Sequence, residues 1–239
     1  MFTCLRGVLV LLIAPILTAV VSVLAIIATV VFRRPAGRVQ VYPRYWARVI
    51  ATLIGIEVEV VGMERLAGNR PYIFAANHQS QVDIFVLQGY FAYDFRWLAK
   101  LELFQVPVFG EGMRRAGHIP VDRAHSRNAL KSLDEAAKRI ADGTSVVIFP
   151  EGTRSPDGRL LPFKGGTMAL AIKAGVPVVP VGISGTHEVL AKGKLLARPG
   201  KVTIRVGEPI ETGGYKLKDK HELAALLQGR VAELLDNQA

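Results

Sequence analysis

A chain of 239 residues, half of them apolar, is long enough to bury one good-sized core plus an appendage and too short for several large domains. Its formal charge of +10 and pI near 9.9 favour anionic partners, whether nucleic acid, an acidic membrane face or a phosphorylated substrate, without separating the three. The single cysteine, Cys4, excludes an internal disulfide and fits a reducing compartment.

In chain order, the first feature is Gly7 to Phe32, a run of 26 residues without a charge. As one helix it would extend about 39 Å at about 1.5 Å per residue, more than a hydrocarbon core of roughly 30 Å. A cleaved leader would carry a shorter apolar stretch with a small-residue cleavage site close behind. This run is too long for that and ends in Phe32-Arg33-Arg34-Pro35, so it reads as a retained membrane anchor. The first 50 residues hold six arginines and no acid. Five of the six follow the apolar run, which places that side in the cytoplasm. Pro15 is a site for a kink. Residues 39–54 form a second, amphipathic stretch in which Tyr42, Tyr45 and Trp46 mix with Arg44 and Arg48, a combination suited to lipid headgroups. Spanning the bilayer and entering one leaflet as a helical pair both remain open. The expected organisation is membrane-anchoring helices over 1–54 and a second domain over 55–239.

From Ile56 onward the pattern is mixed α/β. Short β-rich runs occupy 56–61, 71–76, 95–99, 145–149, 176–183 and 201–206, several of them apolar enough to be buried on both faces. Between them the clearest helical pattern is 126–141, with Ser126 as a cap, Ala129, Leu130, Leu133, Ala137 and Ile140 on one face, and Gly143 as a stop. A last helix is expected near 219–235. Gly and Pro punctuate 152–166 and 185–200, which marks long loops.

The run ending at Ala76 leads into Asn77-His78-Gln79-Ser80-Gln81-Val82-Asp83. Imidazole is the side chain best suited to move a proton near neutral pH, and a carboxylate on its far nitrogen would fix the tautomer and steady the imidazolium. Five positions on a regular helix is a turn of about 500°, so the pair would not share a face there. They meet only if His78 lies in the turn before a helix and Asp83 in its first turns, with Asn77 or Ser80 as cap. Taken alone, such a pair is more often a capping arrangement than a catalyst. With no Ser or Cys nucleophile in a glycine-flanked setting nearby, a working pair would act on a hydroxyl of the substrate.

Next in importance is Phe149-Pro150-Glu151-Gly152-Thr153-Arg154-Ser155, directly after a strand. Strand ends are where α/β sheets place ligands. Gly152 admits close backbone approach, Thr153 and Ser155 offer hydroxyls, Arg154 offers a planar fork for phosphate oxygens, and Glu151 is placed to hold Arg154 or a neighbouring cation. A third block, Gly117-His118-Ile119-Pro120-Val121-Asp122-Arg123, is β-like and ends in a base. Lys100 and Lys164 are further cations at loop positions, and Val176 to Val181 (VPVVPV) reads as strand and pocket wall. His118, His125, His187 and His221 show no partners at ligand spacing, so no metal is expected.

Together, NHQSQVD at 77–83, GHIPVDR at 117–123, FPEGTRS at 149–155 and VPVVPV at 176–181 resemble the glycerophospholipid acyltransferase family, in particular the bacterial 1-acylglycerol-3-phosphate acyltransferases. The likeness covers about 70 to 185 in the family's order and spacing, and Lys100-Leu101-Glu102-Leu103 matches its KxEL-type segment. The resemblance implies a mixed central sheet flanked by helices, behind the N-terminal helical anchor. It implies His78 as general base oriented by Asp83. Arg154 and Lys100, with Arg123 nearby, would bind the phosphate of lysophosphatidic acid, supported by Gly152, Thr153 and Glu151. The acyl donor would be acyl-CoA or acyl-ACP, with no metal or redox cofactor and no nucleic acid. The setting would be the cytoplasmic side of a bacterial inner membrane, among anionic lipids. Donors for an oxyanion are expected from backbone near Gly152.

Overall fold

The six β-rich runs and the β-like block at 117–123 become seven strands of one sheet, and the helical runs cover both of its faces. A computed structural model describes residues 2–68, 70–122 and 126–236, the side chains of 2–5 and 126–130 excepted. The chain begins with α1 (Phe2–Val30), a short α2 (Ala36–Val39) and α3 (Val41–Ile54). There follow β1 (Ile56–Val61), β2 (Ile73–Ala76), α4 (Val82–Tyr90), β3 (Arg96–Lys100), α5 (Phe109–Arg115), β4 (Ile119–Val121) and α6 (Ser126–Ala141). The remainder is β5 (Val146–Ile148), α7 (Gly165–Ala174), β6 (Val178–Ser184), α8 (Thr186–Val189), β7 (Gly200–Val206) and α9 (Lys220–Asp236).

The strand order is β1-β7-β6-β2-β5-β3-β4. Strands β6, β2, β5, β3 and β4 run parallel to one another, β1 and β7 form a second parallel pair, and the β6–β7 junction is antiparallel. The central strands β2, β5 and β6 are buried throughout, which is why their sequences are continuous apolar runs rather than alternations. Side-chain alternation still divides the core. Phe74, Ala76, Val147, Val179, Val181 and Ile183 meet the layer of α1, α3 and α4, while Ile73, Ala75, Val146, Ile148 and Val178 meet the layer of α6, α7 and α9. Pro180 stands in a central strand without breaking it. Its carbonyl accepts from Gly207 N, so its missing N–H points the same way, just past the last β6–β7 pair at Val181 and Val206.

The apolar N-terminal run is helical straight through Pro15, and it lies along the molecule. Trp46 Nε1 donates to Thr18 Oγ1 at 3.1 Å. Ala25 and Ala28 bury against Val39 and Ala116. At the α1–α5 crossing a Cβ on Gly112 would sit 2.9 Å from Ser22 Cβ, so glycine there lets the two backbones approach. Val10, Ile50, Ala51 and Ile54 share a core with the sheet. Arg48 Nε donates to Gly89 O at 2.7 Å and Arg44 Nη2 to Tyr93 O at 3.4 Å, so these two arginines of the amphipathic stretch cap the folded chain. The opposite side of α1, from Val8 through Leu12, Ile16, Val20 and Ile27 to Val30, is exposed, as is Phe32 just beyond it.

Candidate active site

Because five strands run parallel, the loops after β6, β2, β5, β3 and β4 all emerge at one edge of the sheet. The blocks that begin at Asn77 and Phe149 lie there, whereas Val176 to Val181 leads into and forms the first half of β6. Strand β2 ends at Ala76, and the chain turns before α4 begins at Val82. Asn77 holds that turn to the neighbouring strand. Its Nδ2 donates to Ile183 O at 2.8 Å and its Oδ1 accepts from Ile183 N at 2.7 Å. His78 therefore lies in the turn and Asp83 in the first turn of α4, and His78 Nδ1 lies 2.7 Å from Asp83 Oδ2.

Asp83 has no exposed surface. Its Oδ2 also accepts from Gln79 N at 2.8 Å and Ser80 N at 2.9 Å, while Oδ1 is buried with no hydrogen-bond partner among the described residues. Two backbone N–H groups already converge on Oδ2, which makes that oxygen an acceptor; with Nδ1 as the third donor to it, the basic lone pair is on Nε2. Capping is shared. Ser80 Oγ accepts from Val82 N at 3.1 Å and donates to Leu190 O at 2.6 Å.

The imidazole is fixed from the side as well. Its ring stacks on Phe149 with centroids 3.9 Å apart and planes 12° apart, and Phe149 in turn lies 6.0 Å from Trp97 at 20°. Trp97 is held at both ends, its backbone N donating to His118 Nδ1 at 3.1 Å and its Nε1 to Gln88 Oε1 at 2.8 Å. Burial above all, then the charges of Arg96 and Arg139, push His118 down to about 3, so it stays neutral and its Nδ1 remains an acceptor. The GHIPVDR block thus supports the site through His118, whose partner was not visible in the sequence because it is a backbone amide on another strand.

Glu151 is 2% exposed, and it departs from the sequence expectation. Among the described residues it holds neither Arg154 nor another cation. Its Oε1 accepts from His78 N at 2.7 Å and its Oε2 from Leu161 N at 3.3 Å, so the carboxyl faces inward and ties the β5 loop to the His78 turn. An inward carboxyl adds no attraction for phosphate. Burial pushes Glu151 up to about 7, the amides of His78 and Leu161 oppose that, and the charge of Asp83 adds to it. The same two loops are joined again by Ser155 N donating to His78 O at 2.7 Å.

The cations form the outer part of the site. Arg154 is half-buried, Lys100 and Lys164 are exposed, and none of the three pairs with a carboxylate among the described residues. Gly152 has φ +74, and a Cβ there would stand 3.0 Å from Lys164 Nζ, so the glycine lets that ammonium lie across the loop. Its own N–H donates to Phe149 O at 3.0 Å, which takes that one amide out of the backbone near Gly152 expected to face an oxyanion. Lys192, which no spacing had linked to this loop, donates from Nζ to Arg154 O at 2.8 Å and Thr153 Oγ1 at 3.3 Å. Arg123 and the Ser126 side chain fall outside the described residues. A polar cavity of about 440 Å³, lined by Gln79, Asp157, Gly158, Ser184, His187 and Glu188 among others, opens beside the His78 turn.

Residues 57–184 match the acyltransferase family model. A 1-acyl-sn-glycerol-3-phosphate acyltransferase of Cocos nucifera is 33% identical over 76% of this chain and 60% of its own length. One of Chlamydomonas reinhardtii is 39% identical over 63% of this chain and 46% of its own. The chain thus spans about 60% or less of the length of these two curated relatives. Among solved structures, the 1-acyl-sn-glycerophosphate acyltransferase PlsC of Thermotoga maritima is 31% identical and superposes with a TM-score of 0.76, covering 97% of both chains.

Proposed function

The chain belongs to the acyltransferase family, and from that premise we propose that it transfers an acyl group from acyl-CoA or acyl-ACP to the sn-2 hydroxyl of lysophosphatidic acid, giving phosphatidic acid. The observation that carries this reading is a buried Asp83 side chain 2.7 Å from the Nδ1 of His78, at the sheet edge where Arg154, Lys100 and Lys164 pair with no carboxylate among the described residues.

In the proposed reaction His78 Nε2 removes the proton of the acceptor hydroxyl as its oxygen attacks the thioester carbon. The tetrahedral intermediate then collapses and the thiol leaves with the proton carried by the imidazolium. Asp83, held by two backbone amides, steadies that imidazolium without becoming protonated. The Phe149 face keeps the ring in plane. Arg154 and Lys100 bind the acceptor phosphate, with Lys164 beside Gly152, and Arg123 belongs to the same set by its place in the sequence. The polar cavity beyond Gln79 leaves room for the amide-rich arm that carries the thioester in either donor. No metal or redox group takes part.

The acceptor and product are lipids, and the exposed apolar side of α1 supports a membrane setting. Because α1 lies against α3 and α5 along its length, a perpendicular span would draw the folded chain into hydrocarbon; we place the helix in one leaflet of the inner membrane, facing the cytoplasm, among anionic lipids. The test is acyl transfer by purified protein to lysophosphatidic acid from both donors. His78→Ala is expected to lower turnover on the order of 10³-fold in a folded variant, and near-normal turnover rejects the assignment.

A further inference from the structure

The stretch after α8 has a composition that the proposed reaction does not explain. Lys192-Gly193-Lys194-Leu195-Leu196-Ala197-Arg198 places two leucines among three cations, and no acid occurs from 189 to 207. Such leucines would ordinarily be buried, yet Leu195 is 73% and Leu196 39% exposed. The loop is ordered by its own backbone, with Lys194 N donating to Ala191 O at 3.0 Å and Arg198 N to Val189 O at 2.9 Å, so the leucines are held outward. Lys192, Lys194 and Arg198 pair with no carboxylate among the described residues.

Its location matters as much as its composition. A Cβ on Gly7 would stand 3.2 Å from both Leu196 Cβ and Ala197 O, so the first turn of α1 abuts this loop. Arg6 and Pro199 both lie over Gly55. The exposed leucines therefore continue the apolar side of α1, which begins at Val8, Leu9, Leu11 and Leu12, toward the catalytic edge of the sheet. From the same loop Lys192 reaches the Thr153–Arg154 backbone.

We propose that residues 191–199 form a second membrane-contact element, which seats Leu195 and Leu196 among the headgroups of an anionic phospholipid bilayer with Lys194 and Arg198 at phosphate level. Apolar tips beside unpaired cations match a surface that is apolar below and anionic above. Through Lys192 this contact sets the position of the Arg154 loop against substrate arriving from the bilayer. The proposal rests on the membrane reading of α1 and on the acyltransferase reading of the site.

The test uses the full chain with Cys4→Ser and Leu195→Cys, labelled with an environment-sensitive fluorophore and reconstituted in vesicles of three parts phosphatidylcholine to one part phosphatidylglycerol. A control label goes on Lys218→Cys, which is exposed before α9 in the opposite helix layer. The expected result is a blue shift and quenching by nitroxide lipids at 195 but not at 218. Equal aqueous quenching of the two labels overturns the proposal, as does a shift at 195 lost on diluting protein at constant lipid, which would assign the leucines to a second copy of this chain. In the activity arm, Leu195→Ser with Leu196→Ser should slow transfer to vesicle-borne lysophosphatidic acid by about fivefold or more and leave transfer in detergent micelles unchanged. Lys194→Gln and Arg198→Gln should each cost roughly fivefold on anionic vesicles and nothing on pure phosphatidylcholine. Unchanged vesicle rates in all these variants overturn the coupling. An unaltered chain that transfers no acyl group in micelles defeats the functional reading, while the fluorescence result still decides the membrane contact.

Discussion

The two halves of the site are built in opposite ways. The inner half, around His78, Asp83 and Glu151, is buried and bonded on almost every side: to the amides of Gln79 and Ser80, to Ile183 through Asn77, to Leu161, and to the Phe149 ring. The outer half, around Arg154, Lys100 and Lys164, ranges from half-buried to exposed and makes no ion pair among the described residues. The contrast follows from electrostatics. A buried charge without partners is very costly, so the carboxylate must be supplied with donors by the fold. A solvated cation needs no protein partner, and a phosphate brings the countercharge with it. On the proposed reading the inner half is organised before substrate arrives, and the outer half is completed by the phosphate of the acceptor.

That contrast has measurable consequences, the largest on the inner half. Asp83→Asn keeps the shape but places an amide where two backbone N–H groups and the Nδ1 of His78 converge, and should lower kcat on the order of 10³–10⁴-fold with little change in KM. A loss under tenfold would break the comparison. On the outer half, Arg154→Ala should raise KM for lysophosphatidic acid by about 10–100-fold, the worth of charge-assisted bonds, while kcat changes little and a phosphate-free acceptor is unaffected.

Glu151 sharpens the picture through pH. Its carboxyl is raised to about 7 in the folded chain, above its ordinary unfolded value, so the folded state favours the protonated form. Stability from this group is complete below the unfolded value and is lost as pH rises through about 7. Denaturant unfolding of the intact chain should therefore lose about 2–3 kcal/mol from this group between pH 5 and 8, a slope that Glu151→Gln removes. His118 acts in the opposite sense. Held down to about 3, it withdraws stability as pH falls below the ordinary imidazole range. The smallest effect is expected at Phe149→Leu, which keeps an apolar contact but removes the stack. A fall in kcat of about two- to tenfold with unchanged KM would show that the ring only steadies the base.

Much of this was legible along the chain. Continuous apolar runs such as Ile73–Ala76 mark strands buried on both faces, and the period of 126–141 marks a helix, because both signals are local and repeat. The His78–Asp83 pair could be anticipated since only five positions separate its members and a turn before a helix brings them together. Glu151 was misread for the complementary reason. Its neighbour in sequence is Arg154, but its partners are amides of residues 78 and 161, and nothing in spacing reports a backbone donor on another loop.

By itself, then, the order of residues determined the sheet-forming runs, the apolar N-terminal helix, the pairing of His78 with Asp83 and the surplus of cations. Tertiary structure alone decided that α1 lies along the molecule, that Phe149, Trp97 and His118 brace the imidazole, that Gly152 has no N–H to spare, and that Lys192 reaches the Arg154 loop. The division is physical. Periodicity and short separations encode which groups are buried and which near neighbours meet, whereas contacts between distant segments depend on strand order and direction, which no local pattern carries.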